Sequence, residues 1–361
     1  MQEIIINSSN EGQKLKKICF RILKEAPQSF TYKMLRKKNI TLNGKKATGE
    51  EVLKNGDSIK FFLSDETFSK FSPDYKIASN QTGSDNRQSA NVMNQRDSEN
   101  RGYFGDQVSS EDYSLSDSLD ILYEDNDIAI LNKGYGILSQ KAGVDDISIN
   151  ELFVEYLIKN GKYDKNDQTY KPSVCNRLDR NTTGIILAGK SMKGLQFLSK
   201  HIKDKSIDKY YYTIVNGKMD KEYDIESFLK KNHQNNTVEI INTTLYKKKG
   251  SPKDFDHIHT VFTPVKSNGE YTLIKVKLIT GKTHQIRAQL AEMGYPVIGD
   301  YKYGSRKTND IIKQKFGLNS QLLHAREIHF SMACENYSNK IFKAPFPERF
   351  ISIAKELGLS I

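Results

Sequence analysis

The apolar positions near the start of the chain fall on one helical face. Leu15, Ile18, Cys19, Ile22 and Leu23 recur at i, i+3, i+4, i+7 and i+8, the spacing that lines one side of an α-helix. Pro27 predicts the end of this helix, and Ser29 predicts the cap of a second short helix through Lys37. The period then changes to two. Residues 40–42 predict a strand, Asn43-Gly44 a tight hairpin turn, and Ile59, Phe61 and Leu63 a closing strand after Asn55-Gly56. Over residues 79–118 apolar periodicity disappears into Ser, Asn, Asp and Gln, the composition of a flexible linker. Beyond Leu119 short strands return. Residues 128–131, 185–188, 238–241, 260–264 and 272–279 read as strands, Leu195, Leu198 and Ile202 as one face of a helix, and 283–293 as a helix with Ile286, Leu290 and Met293 inward. This mixture predicts an α+β fold whose larger domain carries a mixed or antiparallel sheet, with a small α+β domain ahead of it.

Charge sharpens these boundaries. Residues 1–63 hold 13 Lys/Arg against 6 Asp/Glu, a net of +7; residues 64–118 hold 5 against 10, a net of −5; residues 119–361 supply the +9 that completes the formal net charge of +11. The chain therefore divides into a basic domain over 1–63, a polar linker over 64–118 and a larger domain over 119–361. Such a positive excess favours a polyanionic partner. Cys19, Cys175 and Cys334 are far apart and form no CxxC pair, which argues against a disulfide framework or a zinc site and fits a reducing cytoplasm. The N-terminus lacks a basic segment followed by a long apolar stretch, and no apolar run approaches the ~20 residues that span a bilayer, so neither a signal peptide nor a membrane partner is expected.

Three segments carry candidate chemistry. In Asn176-Arg177-Leu178-Asp179-Arg180-Asn181-Thr182-Thr183-Gly184 a carboxylate stands between two arginines. Cationic neighbours keep a carboxylate ionised, and an ionised carboxylate can attack an electrophilic sugar carbon. On these residues alone, a surface loop with ordinary ion pairs is the commoner state. Thr280-Gly281-Lys282-Thr283-His284-Gln285-Ile286-Arg287 joins a strand to a helix, and free N–H groups there suit an anion, or simply a well-capped first turn. Lys209-Tyr210-Tyr211-Tyr212 offers rings that stack on a base, or the mixed core and surface tyrosines of any strand.

Taken in order, these segments resemble the RluA family of RNA pseudouridine synthases. The nucleophile motif of that family falls on 176–184, its Thr-Gly-Arg-Thr-His-Gln-Ile-Arg motif on 280–287, and its Lys-Xaa-Tyr segment on Lys209 to Tyr211. Leu122-Tyr123-Glu124-Asp125, Leu131-Asn132-Lys133, Gly299-Asp300, Tyr303-Gly304 and Leu323-His324-Ala325 follow as further landmarks, so the likeness covers roughly 119–350. Asn176, Asn181 and Lys282 replace the family's common His, Asp and Arg, and Gly134 stands where a Pro is frequent. The N-terminal helix–helix–hairpin resembles an S4 RNA-binding module, through Met34-Leu35-Arg36-Lys37-Lys38, Ile40 and Asn43-Gly44-Lys45-Lys46. This combination is most similar to the RluC-type branch, which acts on large-subunit ribosomal RNA.

The resemblance implies a cofactor-free and metal-free isomerase that converts uridine to pseudouridine. Asp179 would begin the reaction, either by attack at C1′ or by removal of the C2′ proton. Arg287 would hold Asp179, and Tyr211 would stack on the uracil. Arg177 would wedge into the RNA as the target base flips out, while Lys282, His284 and Gln285 would hold phosphates. Lys33, Arg36, Lys37, Lys38, Lys45 and Lys46 would bind RNA from the N-terminal domain, and the protein would work as a cytoplasmic monomer. A non-catalytic RNA-binding factor would share the charge and the small domain but has no need of Asp179, Tyr211 and Arg287 together. A glycosidase built on Asp179 would need a second carboxyl partner, and no candidate stands beside it in the sequence.

Overall fold

The computed structural model describes residues 1–7, 10–72, 119–143, 146–165, 167, 170–232, 234–235, 237–250 and 252–361. The linker expected over 64–118 lies outside the described residues from position 73 onward, and its expected start at 64 is too early. Residues Asp65–Phe71 form a helix, capped by the Ser64 hydroxyl on the Thr67 N–H, and Phe68 is fully buried. The polar tone of Ser-Asp-Glu-Thr masks this element, although Ser followed by acidic residues is a helix-start signal.

The N-terminal segment forms a four-stranded antiparallel sheet in the order β1-β4-β2-β3, from β1 (Gln2–Ile5), β2 (Ile40–Leu42), β3 (Lys45–Lys46) and β4 (Ser58–Phe61). Helices α1 (Leu15–Ile22), α2 (Gln28–Arg36) and α3 (Asp65–Phe71) accompany it. The helical stripe read from the sequence is buried: Leu15, Ile18, Cys19, Ile22 and Leu23 pack with Met34, Leu35, Ile40, Ile59 and Phe61 in one cluster. Asn43 and Gly44 both take positive φ, 50° and 73°, as a two-residue hairpin turn requires. Ser29 is not a cap. The helix begins one residue earlier, at Gln28 after Pro27, with no side-chain cap.

The larger segment is built on an 11-stranded mixed sheet, ordered β11-β10-β12-β13-β9-β14-β8-β6-β5, with β15 paired to β14 and β7 to β8. Its strands are β5 (Asp120–Glu124), β6 (Ile128–Lys133), β7 (Ser173–Val174), β8 (Thr183–Gly189), β9 (Ile207–Asn216), β10 (Tyr223–Asn232), β11 (Thr237–Asn242), β12 (Asp256–Ser267), β13 (Tyr271–Leu278), β14 (Leu323–Phe330) and β15 (Ile341–Lys343). The helices are α4 (Ile149–Lys159), α5 (Met192–Lys203), α6 (Thr243–Lys248), α7 (Gln285–Glu292), α8 (Arg306–Phe316) and α9 (Glu348–Glu356). The β14–β8 pair is parallel and the other pairs are antiparallel, as an α+β domain with a mixed sheet requires. Gly184 makes the parallel junction possible. Its φ is +106°, and a Cβ there would stand 2.2 Å from the Ala325 carbonyl oxygen on β14.

A single apolar cluster lies under the catalytic-looking segments. Leu178, Tyr211 and Ile286 belong to it together with Ile186, Ile274, Val276, Leu290 and Leu323. Three segments far apart in the sequence are thus bolted to the same core, and their polar side chains keep a fixed mutual geometry.

Candidate active site

Asp179 lies in the turn between β7 and β8, and the backbone of that turn is pinned from two sides. Ser139 Oγ accepts the Leu178 N–H and donates to the Leu178 carbonyl, both at 2.8 Å. Lys133, fully buried at the end of β6, donates from Nζ to the carbonyls of Arg180 at 2.8 Å, Ile137 at 2.8 Å and Gly134 at 3.0 Å. Burial pushes the Lys133 ammonium down to about 7, and the charge of Asp179 acts against that. Three carbonyls each take one donor, a set that only the ammonium supplies. Asn176, in the place of the family's common His, takes a structural bond: its Oδ1 accepts the Leu187 N–H at 2.7 Å.

Helix α7 brings Arg287 to this turn. Its Nη1 donates to Asp179 Oδ2 at 2.8 Å, while Nε and Nη2 form a fork onto Asp300, at 2.7 Å to Oδ2 and 2.8 Å to Oδ1. Asp300 is 1% exposed, whereas the Asp179 side chain is 26% exposed. The outer carboxylate meets solvent and the inner one is sealed. Burial works to lower the Arg287 guanidinium, but the bonds and charge of Asp300, followed by those of Asp179, outweigh it and push the group further up. Arg287 therefore bridges two carboxylates as a permanent cation. Asp300 also accepts the backbone N–H groups of Lys302 at 3.0 Å and Tyr303 at 3.3 Å.

Tyr211 on β9 is buried at 5% exposure, its backbone paired with Val276 on β13 and Ala325 on β14. Burial, then the charge of Asp179, push its phenol well above the usual range, so it presents a neutral ring. Asp179, Arg287 and Tyr211 thus converge from the β7–β8 turn, α7 and β9.

The remaining expected site residues separate. Gln285, expected to hold a phosphate, is 2% exposed and its amide is occupied. Its Oε1 accepts from Thr280 Oγ1 at 3.0 Å and the Lys282 N–H at 3.1 Å, and its Nε2 donates to Thr260 Oγ1 at 2.8 Å and the His259 carbonyl at 3.3 Å. Gln285 shapes the loop before α7. His284, also expected on a phosphate, turns inward. Its backbone is left-handed at φ 55°, its side chain is 8% exposed, and Nε2 lies 3.9 Å from Asp179 Oδ2. That backbone also explains why α7 starts at Gln285 and not at Thr283. Lys282 is exposed and pairs with Asp256 at 2.8 Å. Arg177 is exposed on the Asp179 turn, and Lys33, Arg36, Lys37, Lys38, Lys45 and Lys46 are all exposed along α2, just past its C-terminal end and on the hairpin that follows. Sequence reading missed the roles of Ser139, Lys133, Asp300 and Tyr303. The ordered Leu131-Asn132-Lys133, Gly299-Asp300 and Tyr303-Gly304 landmarks pointed towards all of these but Ser139, without giving their roles.

The site thus sets a fixed carboxylate beside a buried aromatic ring on a mixed sheet. The family of RNA pseudouridylate synthases matches the chain over residues 127–292. The ribosomal large subunit pseudouridine synthase C of Buchnera aphidicola subsp. Baizongia pistaciae is 30% identical over 353 residues, covering 98% of this chain and 96% of that protein. The ribosomal large subunit pseudouridine synthase D of Borreliella burgdorferi is 31% identical over 235 residues, covering 64% of this chain and 66% of that protein. The solved structure of human RNA pseudouridylate synthase domain containing 4 shares the fold, with a TM-score of 0.54 at 17% identity over 68% of this chain and 97% of that one. The chain belongs to the RluA family of RNA pseudouridine synthases, with its RluC-type members, and is an isomerase acting on RNA.

Proposed function

We propose that this enzyme converts specific uridines of large-subunit ribosomal RNA to pseudouridine, with Asp179 as nucleophile and without a cofactor. The observation that carries the reading is the contact of Arg287 with Asp179, which aims a solvent-facing carboxylate past a buried, neutral tyrosine ring. In this reading Asp179 bonds to C1′ as the N1–C1′ bond breaks, and the uracil departs with the electron pair. The base turns over against Tyr211, C5 bonds to C1′ as Asp179 leaves, and the C5 proton passes to solvent while N1 takes one up. Atoms balance without a second substrate or a redox partner. The names of the relatives support the RNA target.

Arg177 is the group that enters the stack when the uridine flips, a step costing a few kcal/mol of unstacking, and Lys282 offers a charge to a phosphate. The N-terminal segment 1–63 acts as an S4-like RNA-binding domain, presenting Lys33, Arg36, Lys37, Lys38, Lys45 and Lys46. A reducing compartment, the cytoplasm, suits three free cysteines, two of them buried, and among the described residues no helix is long and apolar enough to cross a membrane. We take the working form to be a monomer, which light scattering tests directly. The experiment for the reaction is Asp179→Asn: RNA binding and folding are expected to persist while pseudouridine formation is lost. Conversion at a near wild-type rate would remove Asp179 from the mechanism.

A further inference from the structure

Tyr303 stands behind both partners of the catalytic carboxylate. Its hydroxyl lies 2.8 Å from His284 Nδ1, and its ring faces the Arg287 guanidinium carbon at 5.3 Å from the centroid. The same hydroxyl accepts the N–H of Val238 at 3.0 Å. Val238 belongs to β11, the terminal strand in the order of the large sheet. The far side of the imidazole, Nε2, faces Asp179 Oδ2 at 3.9 Å.

These contacts restrict where the protons sit. One lone pair of the Tyr303 oxygen is taken by Val238, and the phenol keeps one proton to give. Burial, followed by the positive charges of Arg287 and Lys302, favours the neutral imidazole over the pull of Asp179 and Asp300. A neutral imidazole has one N–H. Placed on Nδ1, it would turn the bare lone pair of Nε2 towards a carboxylate oxygen, which is repulsive. Placed on Nε2, it faces Asp179 with a donor, and Nδ1 receives the Tyr303 proton.

We propose that Tyr303 is a positioning residue: its hydroxyl fixes His284 as the Nε2–H tautomer, which turns an N–H rather than a lone pair towards Asp179 Oδ2 across 3.9 Å, beside the direct bond from Arg287. Oδ2 is then bonded by Arg287 and faced electrostatically by the imidazole N–H, and Oδ1 is left to react. The backbone of His284 supports this role. A left-handed histidine is a strained residue of the kind that gathers at functional sites, and it is what turns the ring inward. The proposal deepens the reading of Asp179 as the reactive group and rests on it for its kinetic consequence alone.

The test uses the full chain with 15N-labelled histidine and His284→Gln to assign the signal. At neutral pH the wild type is expected to show His284 as the neutral Nε2–H form. Tyr303→Phe keeps the ring against Arg287 and removes the hydroxyl. Its His284 should lose the fixed tautomer and take up a proton at higher pH, because the neutral form has lost its partner. The charged and titratable groups facing this ring are Asp179, Arg287, Asp300, Lys302 and Tyr303, and only Tyr303 is altered. kcat should fall about tenfold with KM unchanged, equivalent to ~1.4 kcal/mol, and the acid limb of the kcat profile should move to higher pH. Tyr303→Phe in a His284→Gln background should cost little more. An Nδ1–H tautomer or a doubly protonated His284 in the wild type would overturn the proposal, as would a Tyr303→Phe variant with unchanged kcat and unchanged acid limb. The tautomer readout is taken on resting enzyme, so it stands apart from the Asp179→Asn experiment. Activity in Asp179→Asn sinks the nucleophile, and a wrong tautomer sinks Tyr303.

Discussion

Asp300→Asn isolates the contribution of the inner carboxylate while keeping its shape. Oδ1 of Asp300 accepts three N–H groups, from Arg287 Nη2, Lys302 and Tyr303, whereas Oδ2 accepts one, from Arg287 Nε. The amide will therefore place its oxygen at the Oδ1 position and its NH2 against Nε, donor facing donor. One charge-assisted bond is lost, of about 1.5–3 kcal/mol, and a buried guanidinium is left with the half-exposed Asp179 as its one remaining carboxylate partner. Breaking a buried pair outright costs ~3–5 kcal/mol. Because Asp179 remains, the expected loss is lower, about 2–4 kcal/mol of unfolding free energy. Catalysis should suffer separately, since Arg287 drawn wholly onto Asp179 no longer holds it in place from a fixed base, and single-turnover conversion should fall at least tenfold. Urea unfolding measures the first effect as a shift in midpoint at constant m; pseudouridine formation on a stem-loop measures the second. A midpoint shift worth less than ~0.5 kcal/mol, with conversion unchanged, would refute the claim that Asp300 is the anchor of the site.

Replacing Lys37, Lys38, Lys45 and Lys46 together by Gln should weaken RNA binding and flatten its salt dependence, by about 0.7–0.9 of slope for each phosphate that is no longer neutralised. Equal slopes in variant and wild type would count against RNA binding by the α2–β3 surface. His324 is buried, its Nδ1 lies 2.8 Å from Thr183 Oγ1, and burial pulls its pKa from 6.5 down to about 4. The folded value lies below the unfolded one, so the unfolded chain binds more protons between these limits. Its share of stability, about 3 kcal/mol, is complete above pH ~6.5 and drains as pH falls towards 4. His324→Gln should flatten the stability profile across that window, and an unchanged profile there would remove His324 as the cause.

What the sequence disclosed follows the range of the forces involved. Periodicity announces any element whose burial is one-sided, which is why the α1 stripe, the alternation of β4 and the inward face of α5 were legible. Strand β1 was not, because four residues with one buried side chain carry too little alternation to stand out. Contiguous motifs disclosed Asp179, Tyr211 and Arg287. The elements that make these three an instrument were hidden for a physical reason: each acts at long sequence distance through a single polar atom. Ser139 reaches Leu178 across 39 residues with no local pattern, and Lys133 reaches Arg180 across 47 from a Leu-Asn-Lys landmark that says nothing of that contact. His284 and Gln285 show the limit most clearly. They are adjacent, polar and close to a lysine, which reads as an anion site, yet one left-handed backbone step sends the first towards Asp179 and the second into the loop's own hydrogen bonds. Spacing specifies that a turn occurs, and the φ of one residue decides what the turn points at. In this family motif, side-chain identity carried the chemistry, while the direction of each side chain had to come from the packing beneath it.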